Sequence, residues 1–164
     1  MEGVWKYAKD QKKFAGLLYG ALLKDFKKNI TGGSYLEIGA GPGLLATMIT
    51  EANLQVDVND KCTIQGLGKY DLVYSTFSLH HWKDPVKFIG NLWEAVCDNG
   101  KLYIYDLKRV WWLYYLPLKG GDIGSIRASY TPPELRKIIQ KVGLSNYDVK
   151  SFFPFFKRLI IFKT

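Results

Sequence analysis

Three glycines at alternate positions, Gly39, Gly41 and Gly43, follow directly on the short run Tyr35-Leu36-Glu37-Ile38. Glycine adopts backbone angles closed to other residues and lets a ligand approach the main chain closely. A helix starting after such a loop adds unpaired N–H groups and a partial positive charge at the same spot. Spacing narrows the ligand. A dinucleotide loop needs the pattern Gly-x-Gly-x-x-Gly, and its third glycine would fall on Leu44, which counts against NAD or FAD. Glu37 places a carboxylate two residues before the loop, which suits a cationic, amino-bearing ligand better than a pyrophosphate. Further along stand Asp57, Asp60, Ser75, the only two histidines (His80 and His81) and Asp106. His80 and His81 are candidate proton acceptors because imidazole changes charge near neutrality, and Asp106 is an equal alternative. The two cysteines, Cys62 and Cys97, have no metal-ligand spacing, so no metal is expected.

These residues need elements to position them. Phe14, Leu18, Leu22 and Phe26 form a helical stripe and predict a helix over residues 5–28. Ser34–Ile38 reads as a strand, the glycine loop follows, and Leu44–Ala52 resumes a helical pattern: the opening of a Rossmann-like βαβ unit. Further strands are predicted at Leu54–Val58, Tyr70–Ser75, Lys101–Tyr105, Tyr147–Phe152 and Arg158–Phe162, with Asp98-Asn99-Gly100 as a turn. Asp84-Pro85 opens one helix, burying Val86, Ile89, Trp93 and Val96. Thr131…Glu134 forms a capping box for another, over Pro132–Val142, with Gly143 beyond its end. Alternation of strands and helices predicts an α/β fold: a mostly parallel sheet with helices on both faces and an antiparallel C-terminal strand. Ligands of such sheets sit over the carboxyl ends of the strands. That edge collects Gly39–Gly43, Asp57, Ser75 and Asp106.

At 164 residues, 48% hydrophobic and 23% charged, the chain has the size and balance of one domain, spanning 1–164. No apolar run is long enough to cross a bilayer and no signal-peptide layout opens the chain, so a cytoplasmic protein is expected. The net charge of +8 is uneven: residues 31–100 hold four Lys/Arg against eight Asp/Glu, whereas residues 101–164 hold twelve against four. Basic ends can attract nucleic acid or an anionic surface. No RNA-binding or helix-turn-helix signature accompanies them, so a solvated lysine-rich surface is expected and nucleic acid is not.

The segment Tyr35-Leu36-Glu37-Ile38-Gly39-Ala40-Gly41-Pro42-Gly43 resembles motif I of the class I S-adenosylmethionine-dependent methyltransferases. Tyr70 through Trp82, with its Ser78-Leu79-His80-His81 run, is similar to the segment after the fourth strand in the type 11 group, relatives of ubiquinone and menaquinone biosynthesis methyltransferases. Asn99–Asp106 resembles that group's fifth strand, and Thr131–Leu135 with Gly143-Leu144 its late helix. The resemblance spans residues 35–164. It implies S-adenosylmethionine as cofactor, with Glu37 ordering the loop and reaching toward the amino group, and Gly39, Ala40, Gly41 and Gly43 lining the methionine moiety. Asp57 would accept the ribose hydroxyls, with Asp60 as its substitute, and Ser75 would lie beneath the cofactor. In the family the His-His pair often starts the next helix, a structural role. One departure stands out. Only Asn59–Lys69 separates the second strand here from the Tyr70 strand, too short for the family's intervening helix and third strand. Either that unit is deleted, or Leu54–Val58 is the third strand and the second is gone. Six strands are expected in place of seven, with a reduced adenine side.

Between the fifth strand and the last helix, residues 108–130 form an insertion where the family builds its substrate lid. Its run Val110-Trp111-Trp112-Leu113-Tyr114-Tyr115-Leu116-Pro117-Leu118 carries no charge. Trp111, Trp112, Tyr114 and Tyr115 are expected to cover an aromatic or lipophilic small-molecule acceptor, to touch a membrane interface, to form a homodimer contact, or to complete the core. Gly120, Gly121 and Gly124 supply hinge points. Phe152-Phe153-Pro154-Phe155-Phe156 has the same ambiguity. Two rivals remain: a non-catalytic cofactor-binding or partner-subunit module, motivated by the shortened middle, and an RNA methyltransferase, resting on the basic ends alone. The Asn-Pro-Pro-Tyr-type signature of base N-methylation is absent, since Ser75-Thr76-Phe77-Ser78 stands there.

Overall fold

The computed structural model describes residues 20–29, 33–40, 45, 46, 49, 55–59, 68–115, 121–153 and 155–164, without the side chains of 55–59, 113, 114, 121 and 122. The elements in chain order are helix α1 (residues 20–29), β1 (Ser34–Ile38), β2 (Gln55–Asn59), β3 (Tyr70–Thr76), a 3₁₀ turn (Leu79–His81), α2 (Pro85–Glu94), β4 (Val96–Leu107), a second 3₁₀ turn (Trp111–Tyr114), α3 (Gly121–Ala128), α4 (Pro132–Val142), β5 (Tyr147–Phe152) and β6 (Phe156–Phe162). The strands form one six-stranded sheet in the order β2-β1-β3-β4-β6-β5. From β2 to β4 the pairs are parallel, and β6 is antiparallel to both its neighbours.

Strand register sorts the core into two faces. Leu36, Val73, Leu102 and Ile161 are successive partners across four strands. They pack with Ile89 and Leu92 of α2 and Leu135, Ile138 and Ile139 of α4. The next row, Glu37, Tyr74, Tyr103 and Ile160, faces the other way, toward Leu22 and Phe26 of α1 and the helical residues Leu45 and Ile49. Phe26 sits edge-on to Tyr74 and Tyr103, with centroids at 5.0 and 5.1 Å. Such pairs add about 0.5–1.5 kcal/mol each beyond their buried area. Leu22 and Phe26 of the expected helical stripe are fully buried, while Phe14 and Leu18 lie outside the described residues.

A buried ionic network fastens α1 to the sheet. Asp25 accepts from Arg158 Nη1 at 2.8 Å and from the Tyr103 hydroxyl at 2.9 Å, and Arg158 also pairs with Asp148. On the opposite face, Asp84 caps α2 by accepting from the Lys87 N–H at 3.0 Å, with Pro85 in the first turn. Glu134 reaches back to the Thr131 N–H at 2.8 Å to open α4, and Gly143 ends it at φ 85°. The capping signals thus place both helices where the sequence expects them.

Three departures are instructive. The expected turn at Asp98-Asn99-Gly100 is a bulge inside β4: Tyr70 pairs with Val96, but Leu72 pairs with Lys101, so the extra residues loop out. Asn99 takes φ 64°, and a side chain at Gly100 would meet the Cys97 carbonyl at 2.8 Å. The glycines expected as hinges fold differently, since Gly121 and Gly124 lie within α3. Gly120 lies outside the described residues. Finally, β2 pairs directly with β1, which is the place of the second strand in a Rossmann-type order. Among the described residues it is the outer, third strand that is missing.

Candidate active site

The carboxyl edge of the sheet brings together the ends of β1, β3 and β4 and, because β6 is antiparallel, its beginning. At the end of β1, Gly39 takes φ 70° and turns the chain away from the strand, a conformation that costs other residues energy. Ala40 follows, half-buried; Gly41 and Gly43 lie outside the described residues. Beneath this turn Glu37 is only 1% exposed. Its Oε2 accepts from the Tyr74 hydroxyl at 3.2 Å, and the backbone N–H of Ala46, beyond the loop, also donates to the carboxylate. Burial pushes its carboxyl up to about 7, against the pull of those two hydrogen bonds. Glu37 therefore links β1, β3 and the helix after the loop.

Ser75 pairs in register with Ile38 and donates its hydroxyl to the Ile38 carbonyl at 2.8 Å. Its Oγ is also 2.5 Å from Ser78 Oγ. Buried in this way, Ser75 secures the β1 end to the loop after β3. Asp57 pairs with Leu36, two residues inside the end of β2, where Asn59 pairs with Ile38. Asp60 lies outside the described residues.

Past β3, Phe77 takes φ 53° and the chain enters the 3₁₀ turn that carries both histidines. Asp106, fully buried near the end of β4, receives His80 twice. Its Oδ1 lies 2.8 Å from ring Nδ1, and its Oδ2 accepts the His80 backbone N–H at 3.1 Å. A carboxylate can only accept, so Nδ1 carries a proton and donates it to Oδ1. His81 stacks on His80 at a tilt, with centroids at 4.0 Å. Burial lowers the His81 imidazole, the His80 ring lowers it further, and Asp106 opposes both. The sequence offered three candidates here, and the structure joins two of them, His80 and Asp106, into one unit with His81 at its side.

A residue the sequence reading passed over completes this cluster. Lys157, near the start of β6, is 1% exposed, with Nζ 3.8 Å from Asp106 Oδ2 and donating to the Leu107 carbonyl. A signal was present: Lys157 and Arg158 are adjacent cations inside a strand otherwise apolar on both faces. Tyr74, the donor to Glu37, was likewise hidden among ordinary strand residues.

The aromatic insertion begins from the same edge. Trp111 is 75%, Trp112 38% and Tyr115 80% exposed, so these three rings do not complete the core; Tyr114 is placed only by its backbone in the 3₁₀ turn. With Arg109, Val110 and Thr131 they line a cleft of about 410 Å³. Arg109 pairs with Glu134 at the start of α4, which fixes one end of the segment. The Lys108 N–H donates to the Phe155 carbonyl at 2.7 Å and so holds the β5–β6 hairpin beside it, with Phe153 at 95% exposure. Among the described residues no cluster could hold a metal, and no helix is long and apolar enough to cross a membrane.

Comparison with known proteins identifies the family and the fold. A family model described as "Methyltransferase domain" matches residues 7–149. No curated protein matches the sequence. Among solved structures, a SAM-dependent methyltransferase from Thermotoga maritima is 14% identical with a TM-score of 0.70, and each chain is covered over 100%. A SAM-dependent methyltransferase from Aquifex aeolicus is 16% identical with a TM-score of 0.65, covering 88% of this chain and 89% of the other. The plantazolicin methyltransferase BpumL, in complex with SAH, is 13% identical with a TM-score of 0.69, covering 97% and 88%. The match spans only 50% of the length of PigF and 59% of a Nostoc punctiforme chain. At such identities the likeness is one of fold.

Proposed function

Because the chain belongs to the family of methyltransferase domains, whose methyl donor is S-adenosylmethionine, we propose that it methylates a protic group on a small, flat or lipophilic acceptor, with His80 receiving the proton. The observation that carries this reading is the double grip of Asp106 on His80, at 2.8 and 3.1 Å. With Nδ1 committed to Asp106, Nε2 is the ring nitrogen that remains to exchange a proton with an acceptor at the edge where ligands of such sheets bind.

The residues present fit the donor. It is a cation bearing an amino group, and Glu37 is a buried carboxylate whose ionisation is disfavoured until a positive charge arrives. Gly39 already holds the turned conformation that lets a ligand approach the main chain. Glu37, Gly39, Ala40, Gly41 and Gly43 would hold the methionine part, Asp57 or its substitute Asp60 the ribose, and Ser75 would keep the floor in place. When bound, the donor supplies a methyl group on a sulfonium, already activated for in-line displacement. The chain's own task is then to orient and to handle one proton. Asp106 fixes the ring tautomer, Nε2 takes the acceptor's proton as its oxygen or nitrogen bonds to the methyl carbon, and the Trp111, Trp112 and Tyr115 cleft stacks the acceptor and sheds water. Within the class, the Leu79-His80-His81 run supports placement near the type 11 group.

The test is calorimetric titration with S-adenosylmethionine and with NAD, then measurement of S-adenosylhomocysteine release across planar phenols and aryl amines. Binding of S-adenosylmethionine with turnover that His80→Gln removes and His81→Gln spares is the expected result. Binding with no turnover of any acceptor would instead favour the cofactor-binding module.

A further inference from the structure

Three buried groups from three separate strands or turns meet at the edge of the sheet: Lys157 of β6, Asp106 of β4 and His80 after β3. Their side chains are 1%, 1% and 4% exposed. A lone buried carboxylate would draw a proton onto the nearest base, because an uncompensated charge in the interior is costly. We propose that Lys157 is a positioning residue whose ammonium balances Asp106 and so keeps the His80 ring neutral, with Nε2 open to receive a proton. This inference rests on the assignment of His80 as the proton acceptor.

The charge count around the cluster supports it. Facing Lys157 are Asp106 from β4, Glu134 from α4 and Arg109 from the segment after β4; facing the histidines are each other and Asp106. Arg109 and Glu134 are paired with one another. Among the described residues that leaves Lys157 as the cation beside Asp106. With it, the unit is neutral while the imidazole is uncharged. Without it, neutrality requires an imidazolium, which has no lone pair to offer. Burial lowers the Lys157 ammonium to about 8, with Asp106 as the main opposing influence. At neutral pH the balancing charge is therefore still in place. Its bond to the Leu107 carbonyl holds the amine beside Asp106.

The test reads the His80 ring nitrogens by ¹⁵N NMR in the full chain. In the wild type at pH 7, Nδ1 carries a proton and Nε2 is bare. In Lys157→Met both nitrogens are protonated at that pH, and the neutral ring returns only about one pH unit or more higher, a tenfold change in proton affinity. Lys157→Arg, which keeps the charge, retains the neutral ring. A ring in Lys157→Met that titrates as in the wild type overturns the proposal. If Lys157→Met does not fold, the wild type is titrated through pH 8. A second inflection of the His80 resonances as Lys157 loses its proton is expected, and its absence overturns the proposal. No acceptor substrate enters this experiment. A ring that responds to Lys157, in a protein where His80→Gln still turns over, would uphold the charge balance and reject His80 as the base.

Discussion

Asp106 holds His80 with both of its carboxylate oxygens, one on the ring and one on the backbone of the same residue. Ring orientation and main-chain position are thereby set by a single side chain. Asp106→Asn is expected to lower turnover about 10²-fold or more, since the amide can present the wrong partner to Nδ1 and stabilises no positive charge on the ring. S-adenosylmethionine affinity should be unchanged in calorimetry. Turnover within a few-fold of the wild type would sink the assigned role.

Glu37 gives the ligand-free protein a pH dependence of definite sign. Its carboxyl titrates at about 7 when folded, against an ordinary 4.5, so the folded chain binds the extra proton between those values. Stability from this group is therefore full below pH 4.5 and lost as pH rises through 7, by up to roughly 3 kcal/mol. Glu37→Gln should flatten that part of the curve in urea unfolding and, at pH 8, exceed the wild type in stability. It should also bind S-adenosylmethionine more weakly. An unchanged pH profile would show that the carboxylate is already compensated in the ligand-free state.

Spacing along the chain favours Asp57 as the ribose ligand, whereas pairing register favours Asp60. Asp57 is level with Leu36 inside the strand, and β2 ends at Asn59, level with Ile38, immediately before the Gly39 turn. Asp60 is the next residue along the chain. Asp60→Ala is expected to weaken S-adenosylmethionine binding by about 1.5–3 kcal/mol, from loss of charge-assisted hydrogen bonds. Asp57→Ala should do less. A larger effect at Asp57 in the same titration would restore the spacing argument.

The exposed rings make a different kind of prediction. Replacing Trp112 and Tyr115 with Ala should cost little thermal stability, within about 1 kcal/mol, because neither ring is buried. Methyl transfer should suffer, and hydrogen exchange over residues 108–127 should slow on binding donor and acceptor in the wild type. Loss of self-association in sedimentation, or of vesicle binding, with methyl transfer intact would reassign the segment to a homodimer contact or a membrane-facing surface.

Much of this was legible beforehand because local rules and tertiary demands agree. Asp84-Pro85 and Thr131…Glu134 start helices by chemistry internal to a few residues, and the helices begin there. Ser34–Ile38 reads as a strand running into the glycine loop, and β1 has those bounds. What escaped was non-local. Nothing near Asp106 in sequence announces Lys157, fifty-one residues on, since only the antiparallel insertion of β6 brings them together. The helix through Gly121 and Gly124 also escaped, because glycine argues against a helix intrinsically. The Asn99-Gly100 signal read as a turn is met by a bulge, as the same backbone angles serve both.

The placement of β6 between β4 and β5 has a consequence for how the protein is made. The strand synthesised after β5 occupies an interior lane of the sheet, so the second edge of β4 and the whole of β5 stay unpaired until Phe156–Phe162 exists. A nascent chain halted before that point carries an open parallel half-sheet with β4 as an unguarded border, a template for pairing with other chains. It also lacks the cation for Asp106 and the guanidinium for Asp25. A fragment ending near Phe153 should remain insoluble alone and be rescued in solution by a separate peptide covering residues 155–164.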